Sequence, residues 1–108
     1  MTDDKPSWVD VAAYNELFEG AGIAAPVAGR EVALFLQDGV VYATDILCTH
    51  GDARLCDGFL EGHEIECPYH QGRFDIRTGA ATGAPCTEPI RIWPVKVEEG
   101  RVWLRLPD

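Results

Sequence analysis

The chain has 108 residues, and its 9 Lys and Arg against 18 Asp and Glu give a formal net charge of −9. That balance argues against nucleic acid, whose phosphates demand a basic footprint, and against anionic membrane surfaces. With 46% hydrophobic and 25% charged residues, the composition is ordinary for one soluble domain that buries about two-thirds of its unfolded surface.

Met1 to Pro6 contains neither a basic segment nor an apolar run, so no signal peptide is expected. No stretch approaches the ~20 apolar residues of a membrane helix, and the expectation is a cytoplasmic protein. Thiols stay reduced there, which makes metal ligation a better account of the four cysteines than two disulfides.

Trp8-Val9-Asp10-Val11 reads as a short opening strand. Tyr14, Leu17 and Phe18 fall at helical spacing before Gly20, which predicts one or two helical turns over 12–18. The Ala- and Gly-rich run from Gly20 to Val27 enters a strand only weakly. Arg30–Leu36 and Val40–Thr44 form the clearest hairpin, with Asp38-Gly39 suited to the positive φ angles of a tight turn. Asp57-Gly58 marks a turn, and Glu64-Ile65-Glu66 alternates like a strand that delivers Cys67. A short strand is expected around Phe74, and Gly, Ala and Pro make 79–89 a loop. Ile90–Trp93, Val95–Val97 and Val102–Leu106 close the chain as strands, with Val102, Leu104 and Leu106 on one face. Trp8, Trp93 and Trp103 lie in these strand patterns, so core packing is expected of them. Short strands at 8–12-residue spacing indicate an all-β sandwich or barrel.

Chemistry concentrates between Cys48 and His70. Cys48-Thr49-His50 is a C-x-H, and Cys67-Pro68-Tyr69-His70 is a C-x-x-H. Each pair offers one thiolate and one imidazole, and in Rieske-type [2Fe–2S] centres two histidines replace two cysteines on one iron. The order Cys, His, Cys, His lets each loop give one ligand to each iron. A structural zinc site is the alternative, since zinc also takes two Cys and two His. Zinc sites space their ligands as C-x₂₋₄-C and H-x₃₋₅-H, which a C-x-H does not match.

A disulfide, alternative ligation and redox sensing are open to Cys56 and Cys86, but with no adjacent base or cation to form a thiolate they are expected to be ordinary reduced thiols. His63 has no nearby cysteine in the sequence and is expected at the surface. No Walker loop, no G-x-G-x-x-G and no second histidine–carboxylate set is present. A chain that can gain and lose an electron without further apparatus is expected to be a carrier, not an enzyme.

Cys48-Thr49-His50-Gly51 and Cys67-Pro68-Tyr69-His70-Gln71-Gly72 resemble the two cluster-binding loops of Rieske proteins. The similarity continues through Arg73-Phe74-Asp75, Thr78-Gly79 and Pro85, and covers the chain from about Arg30 onward. Within that superfamily the chain resembles the ferredoxin components of naphthalene-dioxygenase-like, aromatic-ring-hydroxylating systems. The resemblance implies a single domain over 1–108: a basal antiparallel β-sandwich or barrel with a smaller inserted cluster-binding lobe at about 46–86. It implies one [2Fe–2S] cluster, with Cys48 and Cys67 on the inner iron and His50 and His70 on the outer iron through Nδ1. Pro85 matches the loop that covers the cluster. The implied partners are a flavoprotein NAD(P)H-dependent reductase and a terminal oxygenase, with the carrier a monomer. A Rieske-like small subunit of a larger redox enzyme, such as nitrite reductase, is the alternative. Many such subunits lack the full ligand set. A domain cut from a terminal oxygenase is not expected of a chain with this start and finish.

High-potential family members carry a second cysteine pair and a serine that bonds a bridging sulfide. Ala53, Tyr69 and Gly72 stand in those places, so a low-potential centre is expected, near the lower end of a range that begins at about −150 mV.

Overall fold

The computed structural model describes residues 7–49, 53–68, 72–84 and 86–106. In chain order the strands are β1 (Ser7–Ala13), β2 (Ala21–Val27), β3 (Arg30–Gln37), β4 (Val40–Asp45), β5 (Phe59–Glu61), β6 (Glu64–Glu66), β7 (Arg73–Asp75), β8 (Ala81–Gly83), β9 (Ile92–Trp93), β10 (Val95–Glu98) and β11 (Arg101–Leu106). They form three sheets, ordered β1-β11-β10, β2-β3-β4-β9 and β5-β6-β7-β8. Every strand ladder is antiparallel, so the all-β expectation holds.

Local turn chemistry sets the first two sheets. Asp38 and Gly39 adopt φ of 55° and 78°, the paired positive angles of a two-residue hairpin turn whose twist matches its strands. The Glu19 carboxylate accepts hydrogen bonds from the backbone N–H groups of both turn residues. Glu99 and Gly100 repeat the turn between β10 and β11, with φ of 52° and 75°. Ala28 and Gly29 repeat it between β2 and β3.

β3 is the shared wall of the molecule. Its residues from Val32 to Leu36 are all buried, yet side chains alternate across a strand. Val32, Leu34 and Leu36 face a basal core with Val41, Trp93, Val102 and Leu104. Ala33 and Phe35 face the other way, into a second core with Leu55, Ile65, Phe74, Ile76 and Ile90. That second core also holds Cys48, Cys67 and Cys86.

Several expectations need correction. The Ala- and Gly-rich run is a full strand, paired with β3 from Ala21–Leu36 to Val27–Arg30. Weak intrinsic propensity is overridden by an eight-residue partner. The smallness serves packing, since a Cβ at Gly22 would come within 2.6 Å of the Phe35 ring. β1 runs to Ala13, and the helical segment shrinks to one 3₁₀ turn, Tyr14–Glu16. β5 was not anticipated, β8 lies inside the expected 79–89 loop, and the strand expected at 90–93 is only Ile92–Trp93.

Of the three tryptophans, only Trp93 is core, 5% exposed. Trp8 and Trp103 are half-buried, with the Lys96 ammonium 4.6 Å and 6.0 Å from their ring centres. Among the described residues, no helix is long and apolar enough to cross a membrane.

Candidate metal centre

Two loops of matching design leave the second core. Cys48 donates its N–H to the Ala53 carbonyl at 2.9 Å, and Cys67 donates its own to the Gly72 carbonyl at 2.7 Å. Each cysteine therefore closes its loop onto the residue five positions on. The first loop is further clamped below by a Leu47–Arg54 bridge and by a Leu55 N–H to Ile46 carbonyl bond of 2.7 Å. The second loop joins β6 to β7, so three ladder pairs, from Glu64–Asp75 to Glu66–Arg73, aim Cys67 inward.

Both sulfur-bearing residues are buried, Cys48 at 4% and Cys67 at 1% exposure. His50 and His70, the other two candidate ligands, lie outside the described residues, as do Tyr69 and Pro85. Leu47, immediately before Cys48, is 48% exposed. The chain thus runs from the surface to a buried thiol within one residue.

A third segment packs over the loops. Thr49 donates its hydroxyl to the Glu88 carbonyl at 3.0 Å, tying the first loop to the stretch that follows β8. Gly79, at φ 84°, leaves no room for a Cβ against the Ile90 carbonyl. The Ile90 N–H returns to the Gly79 carbonyl at 2.8 Å. This pinches the stretch into a compact arch.

Cys86 belongs to that arch, a position that the expectation of an ordinary reduced thiol leaves open. It is 5% exposed, and its sulfur lies 3.6 Å from that of Cys48. Burial, then the hydrogen bond with Cys48, pushes its thiol up to about 12, so it keeps its proton. The match of neighbouring Pro85 to a family loop expected to cover the cluster was the available signal. Cys56 is half-buried, with burial and the nearby Asp57 raising its pKa. It matches the expected unreactive thiol.

Two polar features escaped the sequence reading. Arg73 on β7 reaches three carboxylates on β5 and β6: Glu61 at 3.0 Å, Glu64 at 3.2 Å and Glu66 at 2.9 Å. One cation thus spans the sheet beside the second ligand loop. His63, expected simply at the surface, is half-buried. Its ring meets Tyr42 edge-on at 5.8 Å and its Nε2 lies 4.0 Å from Asp38. With the Gln37 amide bonded to the Gly62 carbonyl, it joins the lobe to the tip of the β3–β4 hairpin.

Residues 7–94 match the family model of the Rieske [2Fe-2S] domain. The chain belongs to that family, and its cofactor is the Rieske cluster. Within the family it is 54% identical over 99 residues to the ferredoxin component of a naphthalene 1,2-dioxygenase system from Pseudomonas aeruginosa, covering 92% of this chain and 95% of that one. A ferredoxin of Sphingomonas yanoikuyae B1 superposes with a TM-score of 0.88 at 40% identity, over 94% of this chain and all of that one. The ferredoxin in a complex of reduced oxygenase and oxidized ferredoxin of carbazole 1,9a-dioxygenase gives 0.85 at 35% identity, over 94% of each chain. Nitrite reductase small subunits match at 22–23% identity, which shows a shared fold alone.

The described residues fit such a cluster. Two thiols of low exposure sit on two closed loops in one apolar core, as cysteine ligation of an iron–sulfur centre requires. Cys48, Cys67 and Cys86 do not gather into a three-ligand metal site among the described residues.

Proposed function

We propose that this protein is a one-electron carrier between a flavoprotein reductase and the terminal oxygenase of an aromatic-ring-hydroxylating dioxygenase system. Cys48, His50, Cys67 and His70 hold the cluster in this reading. Bound there, a [2Fe–2S] cluster supplies a one-electron couple whose neutral imidazoles make reduction less costly than an all-thiolate set does. The single observation that carries the reading is the pair of buried cysteines, each closing its own five-residue loop onto a shared core.

The chain's own residues have three tasks. Loop closure at Ala53 and Gly72 holds both thiol sulfurs in place, so little reorganises when charge arrives. The apolar second core keeps water from the sulfurs, with Phe35, Phe74 and Ile65 at 0–1% exposure. The exposed Leu47 beside Cys48 supports a docking face next to the first ligand loop, where contact with each partner is small and transient. No chemistry on an organic substrate falls to this chain. A cytoplasmic monomer with its lobe at about 46–86 completes the proposal.

Reconstitution tests it. With a reductase that reduces the protein and a matching oxygenase, aromatic hydroxylation should proceed and stop when the protein is omitted. Failure to support turnover with any reductase able to reduce it overturns the assignment. Stable co-elution with a large partner, with no free carrier activity, would favour the obligate-subunit reading instead.

A further inference from the structure

Cys86 lies against the ligand set without belonging to it. Its sulfur is 3.6 Å from the Cys48 sulfur, within reach of an S–H···S hydrogen bond. Its own N–H donates to the Gly83 carbonyl at 3.2 Å, which anchors the residue from the arch. On its other side stands Gly72, where a Cβ would overlap the Cys86 sulfur and lie 3.1 Å from its Cβ. The missing side chain at position 72 is what admits the thiol. Larger residues at 72 and the cysteine at 86 are therefore alternatives for one space.

We propose that the Cys86 thiol donates a hydrogen bond to the Cys48 thiolate and so raises the reduction potential of the centre that Cys48 holds. This rests on the reading of Cys48 as a cluster ligand. A ligating thiolate has no proton to give, so the direction of the bond is set: Cys86 donates and Cys48 accepts. Reduction adds a negative charge that spreads onto the sulfurs, and a donor stabilises that state more than the oxidised one. Cys86 is thus a positioning and tuning residue. It offers a weak donor where Gly72 supplies none, lifting a centre that would otherwise sit lower in its range.

Replacing Cys86 by valine removes the donor and keeps the apolar volume. A net hydrogen bond shifts an equilibrium by roughly threefold to tenfold, which for one electron is about 30–60 mV. The midpoint of Cys86→Val should fall by that amount with iron and sulfide content unchanged, and Cys86→Ser, which restores a donor, should recover part of it. In D₂O the wild-type iron–thiolate stretching frequencies should shift through S–H exchange, and the valine variant should lose that component. A valine variant with a full cluster and an unchanged or higher midpoint overturns the proposal. So does a set of Cys86→Val, Cys86→Ala and Cys86→Ser proteins that fold but hold no iron, since Cys86 would then be a ligand. Wild-type protein without a cluster would be a failure of the ligand assignment, seen before any variant is made.

Discussion

The basal core takes Val32, Leu34 and Leu36 from one face of β3, whereas the cluster lobe takes Ala33 and Phe35 from the other. The base is otherwise hydrocarbon and indole, and long ladders close it, seven pairs between β2 and β3 and six between β3 and β4. The lobe has ladders of two or three pairs and places three thiols among its buried side chains. Isolated ladders this short are marginal in water. The expectation that follows is a base that stands on hydrophobic burial and a lobe that depends in addition on its bound metal. The molecule thus has two cores that share β3, with His63, Gln37 and Asp38 at the seam.

Removing the metal should break this comparison most visibly. Metal binding and folding are coupled where ligands lie on separate loops. After chelation under reducing conditions, amides of Ile65 and Phe74 should lose hydrogen-exchange protection while those of Leu34 and Leu104 keep theirs. Equal loss in both regions would mean one cooperative unit and no metal-dependent head.

Core truncations sharpen it. Phe74→Ala should cost about 3–5 kcal/mol and Leu34→Ala about 2–5 kcal/mol, both read by urea denaturation. Only Phe74→Ala should also speed bleaching of the visible absorption under native conditions, because only Phe74 packs in the lobe. If Leu34→Ala bleaches as fast at equal stability, the two cores are not separable.

The smallest effect is in acid. Arg77 bonds the Asp75 carboxylate through its backbone N–H at 2.8 Å and its guanidinium at 2.9 and 3.1 Å, and this pair holds the Asp75 carboxyl below its usual range. A depressed carboxyl stabilises the fold above its unfolded value of about 3.9. That contribution disappears as pH falls through the lower folded value. Asp75→Asn should narrow the drop in melting temperature on that acid limb, measured between pH 2 and pH 6. An identical limb in the variant would remove Asp75 from the account.

Legibility in the sequence followed the range of the interactions involved. The β3–β4 hairpin was readable because Asp38-Gly39 decides it within two residues, and Cys67 was readable at the end of an alternating Glu64–Glu66. The spacing of the ligand candidates is likewise local, although His50 and His70 themselves fall outside the described residues. β2 was underread because its strength comes from β3 and not from its own Ala and Gly. β5 and β8 are three residues each and exist only as partners of β6 and β7. The approach of Cys86 to Cys48 spans 38 residues of chain, and the three-carboxylate grip of Arg73 joins three strands. Neither leaves a mark on spacing or periodicity.

The most direct test is an electron paramagnetic resonance spectrum of the dithionite-reduced protein, with iron and sulfide measured on the same sample. About two irons and two acid-labile sulfides per chain, together with an average g value below that of all-thiolate clusters, are the predicted result. A zinc-bound, spectroscopically silent protein, or a signal with the g average of four-cysteine ligation, would contradict the assignment of two thiolates and two imidazoles to one centre.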